Sequence, residues 1–189
     1  MVGYSVAELD DVQAKWGFRF PPDLIERLRE RRLVVDAPDC FDWIKADAKH
    51  IRKCLAWPFE SYWGSVERHE IWWPEWGERP SSLADQRKSC AASSQMRRNS
   101  FRLRYIPDEP HESGNPIFSV MASDIIHYGA NLIHWLERER GRLQGKVNPW
   151  PPIKEIRFWG QAVRYGNDEG SIVRHQIGAA IARRKRSDL

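Results

Sequence analysis

Three groups of residues have side chains and spacings that could do chemistry. Asp124, His127 and His134 carry the donor types of a divalent-metal site. His127 and His134 are seven residues apart, so they share a face only if one helix runs through Gly129. Cys90 and His111 are a nucleophile and a base by type, but no motif surrounds either of them. The third group suits recognition better than catalysis. Trp72, Trp73 and Trp76 lie together in Trp72-Trp73-Pro74-Glu75-Trp76, and Arg102 and Arg104 alternate with apolar residues further on. Tryptophan and arginine dominate binding hot spots. The same residues also have plain structural uses, as tryptophans packed in a core and arginines solvating a sheet. No G-x-S-x-G, phosphate-binding loop or G-x-G-x-x-G is present. The expectation is no catalytic set, no metal and no cofactor. A partner-binding surface is expected at Trp72, Trp73, Trp76, Arg102 and Arg104.

The elements that must position these residues begin with a helix over 4–16. Ser5 and Glu8 form a capping box, and Leu9, Val12 and Trp16 share one face. Pro21-Pro22-Asp23 opens a second helix, whose buried face is Leu24, Ile25 and Leu28. A third helix is expected from an Asp39 cap, with Phe41, Ile44, Ala48, Ile51 and Leu55 at helical spacing and Pro58 as its end. Residues 59–80 read as extended and aromatic, and 81–99 as a surface excursion with room for a short helix. Phe101, Leu103 and Tyr105 alternate with Arg102 and Arg104, the period of a strand over 101–106 that Pro107 ends. Ile117–Met121 reads as a short buried strand. The stretch from 121 to 139 fits either one long helix, or a strand at 125–128 followed by a helix at 130–140. Gly129 in mid-helix would cost about 1 kcal/mol relative to Ala, which favours the second. Ile156 and Phe158 suggest another strand. Val173, Ile177, Ala180 and Ile181 suggest a C-terminal helix capped by Ser171.

Composition narrows the class. The 189 residues are 41% hydrophobic, enough for a real core, and match the size of one domain. Ten tryptophans must be mostly buried or lie in a contact surface. No stretch approaches the roughly 20 apolar residues of a membrane helix, and Glu8, Asp10 and Asp11 do not suit a signal peptide. A cytoplasmic location is expected. Cys40, Cys54 and Cys90 are odd in number and far apart, which argues for small buried hydrophobes rather than disulfides. The net charge of +4 comes from 30 basic and 26 acidic residues, too mixed for a dedicated nucleic-acid binder. Arg183-Arg184-Lys185-Arg186 is the one tight basic run, suited to a solvated helix end or an acidic partner.

Three segments together resemble the bacterial branch of the SUKH superfamily, which includes toxin-immunity proteins and relatives of yeast cell-wall-synthesis regulators. They are Trp72 to Pro80; Arg104-Tyr105-Ile106-Pro107 with Pro110; and Gly114-Asn115-Pro116-Ile117-Phe118-Ser119-Val120 running into Asp124-Ile125-Ile126-His127-Tyr128-Gly129 and Leu132. The similarity spans roughly residues 16–160 and leaves 161–189 as an extension. It implies one α+β domain: a central, mostly antiparallel sheet with helices packed against it, N-terminal helices and a C-terminal helix. It also implies a strand at 125–128, and a scaffold that binds a protein partner such as a polymorphic toxin. Nucleic acid is the weaker alternative, through the strand arginines and C-terminal helix. The physical roles of the motif are architectural. Gly114, Asn115 and Pro116 have turn chemistry, Asp124 can bond the preceding turn, and Gly129 gives a sharp strand exit. Tyr105, Pro107, Phe118, Ser119 and Tyr128 complete the framework. Leu103 departs from the family, which often has a histidine before the arginine. The basic charge also argues against neutralising a basic nuclease by complementarity.

Overall fold

The computed structural model describes residues 3–30, 42–69, 71–94, 98–101, 104–139 and 150–167. The architecture is α+β. Helices α1 (Val6–Trp16), α2 (Pro22–Glu30), α3 (Ala48–His69) and α4 (Leu83–Ser93) precede four strands, with a 3₁₀ turn at Pro74–Trp76 before α4. The strands are β1 (Arg98–Phe101), β2 (Arg104–Pro107), β3 (Ile117–Met121) and β4 (Asp124–Gly129), followed by α5 (Leu132–Glu139) and α6 (Trp159–Asn167). The sheet order is β1-β2-β3-β4, with β1–β2 and β2–β3 antiparallel. Only two residues link β3 to β4, a connection open to antiparallel strands alone.

The described chain forms two compact units. The first takes residues 1–56, 96–119 and 127–156; the second takes 57–95, 120–126 and 157–189. The chain crosses between them repeatedly, so no linker marks the division.

In the first unit, α1 starts as its sequence requires. Ser5 Oγ accepts the Glu8 N–H at 3.2 Å, and Glu8 Oε2 accepts the Ser5 N–H at 2.7 Å. Leu9 and Val12 then reach the core, where Leu24 and Leu28 of α2 join them. Phe18, Phe20 and Trp43 pack edge-on or tilted, with centroids 4.9–5.4 Å apart. Ile106 of β2, Ile117 of β3, and Leu132, Trp135 and Leu136 of α5 complete this core.

The second unit is built on aromatic rings. Tyr62 sits among Trp73, Trp76, Phe158 and Trp159 at centroid distances of 5.5–6.3 Å. Trp159 Nε1 donates to the Ser94 carbonyl at 3.0 Å, which ties α6 to the end of α4. Burial pushes the Tyr62 hydroxyl well above its usual range, and Cys90 adds to this.

Several expectations need correction. The third helix begins at Ala48, with Asp47 Oδ2 accepting the His50 N–H at 2.9 Å; Ile44 lies in a turn. The Asp39 cap and Phe41 lie outside the described residues. Pro58 does not end that helix but sits inside it. An interior proline costs about 3 kcal/mol. Burial of Tyr62, Trp63 and Val66 on the far side returns about 1.5–3 kcal/mol for each large side chain, so the helix continues. Residues 59–69 are accordingly helical, not extended. The strand expected over 101–106 is two strands: Phe101 and Arg104 are partners across the β1–β2 ladder. The short helix within 81–99 is α4, capped by Ser82 Oγ on the Asp85 N–H at 3.1 Å. The Ser82 hydroxyl also donates to Asp85 Oδ2 at 2.7 Å, and this bond, helped by Lys88, holds the Asp85 carboxyl below its usual range. The strand expected at Ile156 and Phe158 is instead a turn leading into α6. Trp159, Ala162 and Val163 are buried there at helical spacing, and Gln161 Oε1 accepts the Phe158 N–H at 3.2 Å. The helix expected after Ser171 lies outside the described residues. Between 121 and 139 the chain forms β4 and then α5, the strand-then-helix reading that Gly129 favours.

Candidate functional site

The most distinctive surface grouping lies in the first unit and starts with the turn between β4 and α5. A Cβ on Gly129 would come within 2.7 Å of Trp135 Cβ, so the residue here must be glycine for close approach. Its φ is not positive, so the close approach and not a left-handed backbone calls for glycine here. Asn131 caps α5 by accepting the His134 N–H at 2.9 Å, and His134 Nδ1 accepts the Ala130 N–H at 3.0 Å. Leu132, Trp135 and Leu136 turn α5 inward. His134 and Arg138, one turn apart, share another face.

On that face a chain of rings and cations forms. The Arg138 guanidinium carbon lies 5.4 Å from the centre of the Tyr128 ring and 5.0 Å from the Trp150 ring. Trp150 meets the His134 ring edge-on at 4.8 Å and is 40% exposed. The Arg104 guanidinium carbon lies 3.5 Å from the Tyr128 ring centre. Arg104 Nη1 also donates to Ser119 Oγ at 2.8 Å, its partner across the β2–β3 ladder. Tyr128 thus carries two guanidinium groups. Neither arginine pairs with a carboxylate among the described residues. Burial, then Arg138, lowers the His134 pKa, and Glu137 opposes this.

The expected site residues are distributed differently. Arg104 is half-buried in this grouping, whereas Arg102 lies outside the described residues. Trp73 is buried, and Trp72 and Trp76 are half-buried. Trp76 stacks on Phe158 at 5.6 Å, and Trp72 Nε1 donates to the Gly77 carbonyl at 2.9 Å. These tryptophans build the second unit and close its 3₁₀ turn; Arg104 belongs to the first unit.

The framework residues have clear roles. Tyr105 and Phe118 are buried partners across the β2–β3 ladder, and Pro107 ends β2. Gly114 has φ 81° and donates its N–H to Asp23 Oδ2 at 2.9 Å. Asn115 is fully buried and donates to the Pro107 and Pro110 carbonyls at 3.0 and 2.8 Å; Pro116 beside it is buried. Asp124 is exposed, and the turn before it is held by Ser61 Oγ, which accepts the Ala122 N–H at 2.8 Å.

The catalytic alternatives find different surroundings. Cys90 is buried, and burial pushes its thiol up to about 12, with Arg87 opposing; an activated thiol shifts the other way. Cys54 is half-buried against His50 at 3.6 Å, and Cys40 lies outside the described residues. His127 packs on Phe118 at 5.0 Å. Among the described residues no three of His, Cys, Asp and Glu gather as a metal-holding group. No helix there is long and apolar enough to cross a membrane.

Arg138 and Trp150 were not singled out from the sequence. Arg138 looked like any cation near a helix end, and Trp150 like part of a proline-rich loop. The available signal was the i, i+4 pairing of His134 with Arg138 on the face opposite the apolar stripe.

Comparison with protein-family models finds no match, and neither does comparison with curated proteins or with solved structures.

Proposed function

We propose that the chain is a non-enzymatic protein-binding domain, of immunity or regulatory type, acting in the bacterial cytoplasm on a partner such as a toxin. The observation that carries the binding role is Tyr128 bearing both Arg104 and Arg138, with exposed Trp150 alongside. Tyr, Trp and Arg are the side chains richest in binding energy at protein interfaces, and here they are held in place before any partner arrives. The sequence resemblance to SUKH domains supports the immunity or regulatory role.

The test is to capture the partner from the native host and titrate it against Trp150→Ala protein by calorimetry. Loss of at least about 2 kcal/mol of affinity, the scale of a hot-spot residue, supports the assignment. Unchanged affinity contradicts it.

Arginines beside an exposed tryptophan also suit stacking of single-stranded nucleic acid bases, and that is the second reading. Phosphate contacts make affinity fall steeply with salt, whereas an interface with an apolar centre changes little. A salt series on the captured complex separates the two.

A further inference from the structure

We propose that the Arg104–Tyr128–Arg138 group recognises carboxylates of an acidic segment in the partner protein, interleaved with apolar side chains. This rests on the protein-binding reading above and specifies its chemistry.

Charge comes first. Arg104 and Arg138 converge on one ring, and neither has a carboxylate partner among the described residues. Other arginines in the same unit do pair: Arg19 with Glu109 at 3.2 Å, and Arg27 with Glu30 at 2.8 Å. Two cations gathered on one ring repel each other, and an arriving anion relieves that repulsion.

Geometry comes second. The Arg104 guanidinium lies against the Tyr128 ring, and Nη1 is fixed on Ser119. Its remaining N–H groups have no partner among the described residues and lie in a plane already set, which suits bidentate contact with a planar carboxylate. Preorganisation of this kind lowers the cost of binding.

The surroundings favour a peptide over a nucleic-acid strand. Trp150 is 40% exposed and Ile153 is 37% exposed on the segment that supplies the platform, so apolar contact accompanies the charge. Glu137 and Glu139 lie on α5 beside Arg138, and they repel a densely charged phosphate chain more than isolated carboxylates.

The experiment is calorimetry with three probes: a short synthetic peptide alternating glutamate with leucine, the same peptide with glutamine for glutamate, and oligothymidylate. The glutamate peptide is expected to bind at least about tenfold more tightly than the glutamine peptide, the scale of a charge-assisted hydrogen bond. Arg138→Gln and Arg104→Lys are each expected to erase most of that preference, while the lost contact with the Tyr128 ring lowers the melting temperature by only about 2–4 °C. Arg104→Lys keeps the charge and loses the planar fork, so it separates geometry from charge. Arg19→Gln serves as the control and should leave binding unchanged. Equal binding of the two peptides, or none of either, overturns the carboxylate proposal. In that case continued sensitivity of the captured partner to Trp150→Ala leaves the protein-binding reading standing. Preference for oligothymidylate over both peptides overturns both.

Discussion

The guanidinium carbon of Arg104 lies 3.5 Å from the centre of the Tyr128 ring, within van der Waals contact of its face. The pair joins β2 to β4 across Ser119 of β3, which accepts the Arg104 Nη1–H bond. The ring is therefore a shared seat for two cations, because Arg138 approaches it from α5. Tyr128→Leu keeps apolar bulk and removes the π face. It should cost about 1 kcal/mol of stability, the scale of a partly exposed cation–π contact. Tyr128→Phe keeps the face and should be close to neutral. Chemical denaturation of the two variants checks this, and equal losses would remove the ring face from the account.

Gly129 marks the passage from β4 to α5, where a Cβ would meet Trp135 Cβ at 2.7 Å. Gly129→Val should destabilise by about 1–3 kcal/mol through overpacking. Gly129→Ala already places that Cβ and should show part of the loss. Thermal unfolding measures both, and a neutral Gly129→Val would mean the turn yields freely.

Asn115 is completely buried and gives both its amide hydrogens to the carbonyls of Pro107 and Pro110. Asn115→Ala should cost about 1–3 kcal/mol, since two buried carbonyl groups lose their donor. Asn115→Asp is nearly isosteric yet aims oxygen at those carbonyls, so it should be at least as harmful at neutral pH. Its stability should recover partly in acid, where the carboxyl group can donate one proton. Denaturation of the Asp variant at two pH values checks the direction.

Acid should weaken the protein partly through His127. Burial lowers its pKa below the ordinary 6.5, and Glu155 offsets this only partly. The unfolded chain therefore binds the proton more readily than the folded one. The stabilising contribution is complete above about pH 6.5 and is lost as pH falls through the lower folded value. His134 shifts in the same direction and adds to the trend. His127→Gln should flatten the pH dependence of the melting temperature below pH 6.5. A slope identical to that of the parent protein would contradict this.

Much of the fold was legible because local and tertiary demands agree. The Ser5–Glu8 capping box, the proline start of α2 and the short apolar run of β3 each specify their element directly. Gly129 separated β4 from α5, and close approach to Trp135 is what calls for glycine there. Legibility failed where tertiary burial outweighed a local signal. Pro58 reads as a helix end, yet the apolar stripe continues past it to Tyr62 and Val66. Phe101 and Tyr105 alternate like one strand, but the ladder partners Phe101 with Arg104. Trp73 and Trp76 read as a surface anchor or a core, and their contacts with Tyr62 and Phe158 place them in the core. The site was half legible: Arg104 and Tyr128 belong to recognisable strands. Arg138 and Trp150 come together with Tyr128 only in three dimensions.

The central claim is that the partner engages the Arg104–Tyr128–Arg138–Trp150 group, and charge reversal at Arg138 tests it most directly. Arg138 is exposed and makes no ion pair among the described residues, so Arg138→Glu loses only its ring contacts and should lower the melting temperature by no more than about 2–4 °C. Affinity for the partner captured from the native host, measured by calorimetry, should fall by about 2 kcal/mol or more, the scale of a charged contact at an interface. An affinity equal to that of the parent protein, with folding intact, would contradict the account.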